Sequence, residues 1–74
     1  MEYSGACRNQ NDEYNEKGSG SGASLYACQK SCDATQGCGA VTWDSLSKTC
    51  YMTSQMAYTT AEITFKCYLK ANLS

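Results

Sequence analysis

The chain has no histidine, and that one absence removes two kinds of chemistry. Every zinc site that mixes cysteine with histidine is excluded. So is any serine or cysteine nucleophile activated by an imidazole. Net charge is nearly absent too: six Lys/Arg against seven Asp/Glu leave −1. Heparin, nucleic acid and anionic membranes call for a basic patch that this balance does not offer. No apolar run approaches the roughly 20 residues that cross a bilayer, so membrane insertion is not expected. No apolar stretch follows Met1 as in a signal peptide. The chain therefore reads as a mature fragment or an excised domain, with Met1 added at its start.

Large apolar side chains are scarce as well, with one Trp and one Phe in 74 residues. A chain of that length is expected to form one domain, residues 1–74. A core so small rarely contributes more than about 3–5 kcal/mol, and domains of this size add disulfides, a metal or a partner. What the sequence has instead is cysteine: Cys7, Cys28, Cys32, Cys38, Cys50 and Cys67. The number is even, as a disulfide framework requires. A four-cysteine metal site would need two separate close pairs. Here the close spacings, Cys28 to Cys32 and Cys32 to Cys38, share a residue, so no metal and no organic cofactor is expected. Disulfides persist in oxidising compartments, which points to a secreted, extracellular chain or a secretory organelle.

With all cysteines bridged no thiolate remains for catalysis. The seven carboxylates offer acid/base chemistry in principle. Asp12, Glu13 and Glu16, however, cluster in a polar stretch where a solvated surface accounts for them. A domain this small also has little room for a pocket that shifts a pKa. No catalytic residue is assigned, and an enzyme is not expected.

Residues 8–17 are polar without periodicity and read as a surface loop or an irregular strand. Residues 18–22, Gly-Ser-Gly-Ser-Gly, read as a flexible, mobile loop. No strand precedes them and no Gly-Lys-Ser/Thr follows, so they are not a phosphate loop. Ser24 is a candidate N-cap, its hydroxyl able to accept from an otherwise unpaired N–H. Leu25, Cys28 and Cys32 then recur at i, i+3 and i+7 on one helical face, with Lys30, Ser31 and Asp33 on the solvent side. The pattern predicts a helix over 25–34, with Gly37 as a left-handed terminator.

In residues 39–44, Val41 and Trp43 point one way and Ala40, Thr42 and Asp44 the other. A turn at 45–48 leads back through 49–53, with Cys50 and Met52 on one face, as an antiparallel hairpin. Residues 54–61 read as a loop with Met56 and Tyr58 semi-exposed. The last strand alternates most clearly: Ile63, Phe65, Cys67 and Leu69 against Thr64, Lys66, Tyr68 and Lys70. That pattern calls for one buried and one wet face. Leu25, Trp43, Ile63 and Phe65 are the expected core, and the segment ending at Cys7 reads as a short strand. Asn72-Leu73-Ser74 matches a glycosylation sequon, although chance explains so terminal a match.

Six cysteines allow fifteen pairings, and the sequence does not choose among them. Cys28 and Cys32 lie one turn apart, so bridging them to each other would constrain almost nothing. Cys38 is within reach of Cys32, Cys50 is within reach of Cys28, and Cys7 and Cys67 would tie the ends. The order is a lone early cysteine, Cys-x3-Cys on a helix, Cys38, the strand Gly39-Ala-Val-Thr-Trp-Asp, Cys50-Tyr-Met, and a cysteine in the last strand. It resembles the PAN/apple domain family over about residues 5 to 70. Val41 and Trp43 fall where that family carries an aliphatic or aromatic residue three and five places after its fourth cysteine. Cys28 through Cys50 is the specific part; residues 18–22 match no family motif. The resemblance implies the pairs Cys7–Cys67, Cys28–Cys50 and Cys32–Cys38. It implies an α+β fold, one helix on a twisted antiparallel sheet of about four or five strands. On a chain-entropy model such bridges contribute about 4, 3 and 2 kcal/mol, together more than the core supplies.

Six tyrosines stand out against the single Phe. A tyrosine combines a flat apolar face with a polar tip, useful for stacking on sugars and for protein contacts. Tyr51 and Tyr68 alternate away from the expected core, Tyr26 lies beside the buried helical face, and Tyr58 sits in a loop. These four are the candidate ligand-binding residues, each against the plainer alternative of packing on a small sheet. The resemblance implies adhesion or recognition of a glycan or an extracellular protein. A near-neutral, tyrosine-rich surface suits neutral glycans, so a lectin-like, carbohydrate-binding module is the first expectation. A protein–protein module of a longer secreted or surface protein is the second. A disulfide-rich inhibitor or toxin is the third, with the soft glycine stretch weighing mildly against it. Weak single-site adhesion often relies on several copies, so multivalency in a parent protein belongs to the first expectation.

Overall fold

The computed structural model describes residues 2–70; the sequon at Asn72 lies outside them. Strands β1 (Glu2–Ser4) and β2 (Cys7–Arg8) open the chain. Next come β3 (Gly18–Ser21), the helix α1 (Leu25–Ala34), β4 (Ala40–Asp44) and β5 (Thr49–Thr53). β6 (Tyr58–Thr59) and β7 (Phe65–Leu69) complete it. The main sheet is antiparallel with the order β1-β7-β4-β5-β3, and β2 pairs with β6 in a second, two-stranded sheet.

The helix forms where its periodicity placed it. Ser24 is extended (φ −160°, ψ 168°), and its hydroxyl accepts from Ala27 N–H at 3.2 Å, which satisfies one of the unpaired first-turn donors. It ends one residue after Ala34, where Thr35 is extended and sends its hydroxyl back to the Ser31 carbonyl at 2.8 Å. Gly37, expected as the terminator, comes after that end. Its φ of +86° turns the chain so that Cys38 meets Cys32.

Opposite residues in an antiparallel pair share a face, so the register says what the helix covers. Val41 stands between Met52 and Tyr68, and Trp43 between Cys50 and Lys66. On this side Cys28, Cys32, Cys38, Val41 and Cys50 are buried together, with Trp43, Met52 and Tyr68 packed around them. The reverse face is also covered. There Cys7, Ala40 and Cys67 form a second buried cluster, bordered by Tyr3, Met56 and Leu69. Thr42 is fully buried on that side, its hydroxyl accepting from Cys7 N–H at 2.7 Å. The result is helix, sheet and a small second sheet in three layers.

This arrangement corrects several expectations. The expected wet face of β7 is the one under the helix, so Tyr68 is half-buried against the Val41 cluster rather than turned away from the core. Ile63 is 87% exposed rather than buried, because β7 begins only at Phe65. Residues 54–61 are not all loop, since they contain β6. The stretch from Gly18 is an edge strand, not a mobile loop: Gly18, Ser19, Gly20 and Ser21 pair with Met52, Tyr51, Cys50 and Thr49. Backbone pairing needs no side chain, and Gly22 shows what the glycines allow. A Cβ there would overlap Cys50 Sγ and lie 2.8 Å from Cys28 Sγ, so the chain passes directly over that bridge.

The three disulfides are Cys7–Cys67, Cys28–Cys50 and Cys32–Cys38, and no cysteine is free. The first ties the second layer to β7, the second ties α1 to β5, and the third ties α1 to the entry of β4. The early segment is two short strands rather than one. They are separated by Gly5 at φ +98°, which turns the chain out of the main sheet into the second.

Candidate recognition surface

The polar stretch after β2 folds around two side chains. Asn9 is 4% exposed; its Oδ1 accepts from the N–H groups of Asn11 and Glu13, both at 2.9 Å. Its Nδ2 donates to Glu13 Oε1 at 3.2 Å and to Glu16 Oε1 at 2.9 Å. Glu16 Oε1 also accepts from Ser54 Oγ at 2.7 Å, Thr53 Oγ1 at 2.8 Å and Ser54 N–H at 3.3 Å. These bonds, Ser54's hydroxyl first, hold the Glu16 carboxyl down from 4.5 to about 2, as donors aimed at a charged form do. The loop is thereby fastened to the end of β5.

Fastening that loop sets a row of side chains on the sheet face away from the helix. Tyr51 projects there, and Tyr14 meets it edge to face with ring centroids 4.9 Å apart at 74°. The Arg8 guanidinium lies 4.8 Å from the Tyr14 centroid. Arg8 also donates to the Asp12 carbonyl at 2.8 Å, and its Nε stands 3.7 Å from the Asp12 carboxylate. Tyr58, opposite Arg8 in the second sheet, donates its hydroxyl to that same carboxylate. Tyr51, Tyr14, Arg8, Asp12 and Tyr58 are thus linked side chain to side chain. Tyr58 is 44% exposed, and the ion pair is open to water, where such pairs are worth little in stability.

The four candidate tyrosines do not form one site. Tyr51 and Tyr58 lie in this row. Tyr68 is on the opposite face, under the helix. Tyr26 is 64% exposed on α1, with Lys30 Nζ 5.3 Å from its ring centroid. Sequence reasoning missed Tyr14 and Arg8. Their stretch has no periodicity, and the one signal available was the Asn9-to-Glu16 run of capping-type side chains.

A second feature was also missed. A cleft of about 420 Å³ opens at the far end of the main sheet, between residues 37–39 and 54–56 and the end of β7. Met56 and Leu69 give it apolar surface, and Lys70 stands at its edge. Met56, expected as semi-exposed, is half-buried there with Sδ 3.3 Å from Cys67 Sγ. Among the described residues no group of three His, Cys, Asp or Glu is placed to hold a metal ion, and no helix is long and apolar enough to cross a membrane.

A family model described as the PAN domain matches residues 7–72, a span that takes in all six cysteines. Comparison with curated proteins and with solved structures returned no match. The matched span, the helix on its antiparallel sheet and the three bridges that join them agree, and the chain belongs to the PAN domain family.

Proposed function

We propose that this chain is a lectin-like adhesion module, not an enzyme, that binds neutral glycans through the Tyr51–Tyr14–Arg8–Asp12–Tyr58 row. Family membership supports the coarser statement: PAN domains are non-enzymatic modules of protein or carbohydrate interaction, and the family and its bridges point to an extracellular or secreted protein. The observation that carries the finer one is the linked row itself. Tyrosine rings suit the apolar faces of sugars, and Arg8 and Asp12 set a fixed donor and acceptor beside them. A glycan array followed by calorimetric titration tests this. A responding neutral sugar should lose about tenfold in affinity, roughly 1.4 kcal/mol, in Tyr51→Ala. It should lose less in Tyr58→Phe, which keeps the ring. No response to any sugar refutes the reading.

A specific observation favours a second reading, a protein–protein module. Leu46 is 78% and Ile63 is 87% exposed. Their loops are joined by the Ser45 N–H and hydroxyl, which donate to the Thr64 carbonyl at 3.0 and 2.9 Å. Two exposed aliphatics on adjoining loops suit a protein contact. Sedimentation showing tight association without sugar, abolished by Leu46→Ser together with Ile63→Ser, would establish it. Nothing in the geometry favours an inhibitor or toxin over these two.

A further inference from the structure

We infer that the cleft at the end of the main sheet is a second ligand site, one that takes a terminal hexuronate, a sugar bearing a carboxylate. The inference shares with the proposed function only the premise that the ligand is a sugar; it concerns a different surface. Its volume, about 420 Å³, lies in the range of small-molecule sites, roughly 300–1,000 Å³. Met56 and Leu69 offer apolar surface for the C–H face of a pyranose, and Ser54 and Gln55 stand on the same lining. The Gln55 side-chain amide has no hydrogen-bond partner among the described residues, so it is available to sugar hydroxyls.

Charge selects the carboxylate. Lys70 is the cation on the lining, and none of the lining residues is acidic. Its ammonium stands 3.9 Å from Asp33 Oδ1, with the two side chains 38% and 58% exposed. That is longer than the roughly 2.7–2.9 Å of a charge-assisted hydrogen bond, so the two form a loose, solvent-exposed ion pair of little stability, and a ligand carboxylate competes with Asp33 for the ammonium. The other nearby anion, Glu16, lies behind Ser54 with its Oε1 taken up by Asn9, Thr53 and Ser54. A neutral hexose would find the same floor and rim but nothing to match the cation.

The test is an amide NMR titration of the intact, oxidised chain with glucuronate, glucose and a short peptide ending in glutamate. Glucuronate should shift the amides of Gly37, Gly39, Gln55 and Lys70 saturably, at least tenfold more tightly than glucose. Lys70→Gln should bring glucuronate to the level of glucose, Lys70→Arg should restore it within a few-fold, and the unligated spectrum reports whether each variant is folded. The proposal is overturned if glucuronate gives no saturable shift there, if Lys70→Gln leaves its affinity unchanged, or if the peptide alone occupies the cleft. Responses at Tyr14, Tyr51 and Tyr58 are read separately in the same spectra. Failure of the neutral-glycan reading is therefore distinguishable from failure here.

Discussion

Removing one bridge at a time measures what each contributes. Cys7–Cys67 spans 60 residues of sequence and Cys32–Cys38 spans 6. If a bridge acts by restricting the unfolded chain, the longer span should stabilise by about 4 kcal/mol and the shorter by about 2. All four cysteines are buried, at 0–5% exposure, so replacing either pair by alanine removes similar packed sulfur and that loss largely cancels. Cys7→Ala/Cys67→Ala should then be about 2 kcal/mol less stable than Cys32→Ala/Cys38→Ala. With a urea slope of about 1 kcal/mol per molar for so small a chain, the midpoints should differ by about 2 M. The single tryptophan, Trp43, half-buried with its Nε1 donating to the Gly22 carbonyl at 2.9 Å, reports the transition by fluorescence. A Cys32→Ala/Cys38→Ala variant as destabilised as the other would refute the entropy argument. A cooperative transition surviving complete reduction would refute the larger claim that the core cannot hold this fold alone.

Gly22→Ala should cost about 1–3 kcal/mol, the usual range for overpacking, because the new methyl meets the Cys28–Cys50 bridge. Gly20→Ala, with nothing within 4 Å of its Cβ, is the control. Equal urea midpoints for the two variants would refute the close approach. Glu16 has a lowered folded pKa, so its contribution is full above about 4.5 and is lost as pH falls toward about 2. In wild type the Ser54 amide resonance and the unfolding midpoint should both move across that window. Glu16→Gln should flatten the dependence, leaving the part due to Asp44. That carboxyl is also held low, by the Leu46 N–H and the Ser47 hydroxyl. Identical slopes in wild type and variant would contradict the fastening role of Glu16.

Local signals were legible where one residue's environment depends on near neighbours. Leu25, Cys28 and Cys32 mark α1 because a helical face recurs every three or four residues, and Ser24 caps it because the capping bond spans three. β4 and β5 were legible from alternation, and the bridges from cysteine order read with the family resemblance. Tyr68 was misread because alternation shows that a strand has two faces but not which one the helix takes. Here the small second sheet covers the other face, so both are packed. The glycine stretch was misread because composition reports backbone freedom, whereas β5 supplied a partner for that backbone.

Sequence alone therefore determined that cysteines would staple the chain, the helix, the central strands and the lack of imidazole chemistry, while the order of the bridges needed the family resemblance beside it. These follow from residue type and short spacing. Only the tertiary structure decided that Tyr14 meets Tyr51, that Arg8 and Asp12 stand with Tyr58, and that a cleft opens beside Lys70. The Tyr14–Tyr51 and Asp12–Tyr58 contacts join residues 37 and 46 positions apart. No periodicity extends that far. They exist because Asn9 and Glu16 fasten a polar loop to the end of β5, and a chain closed by hydrogen bonds among unlike segments leaves no repeating mark in its own sequence.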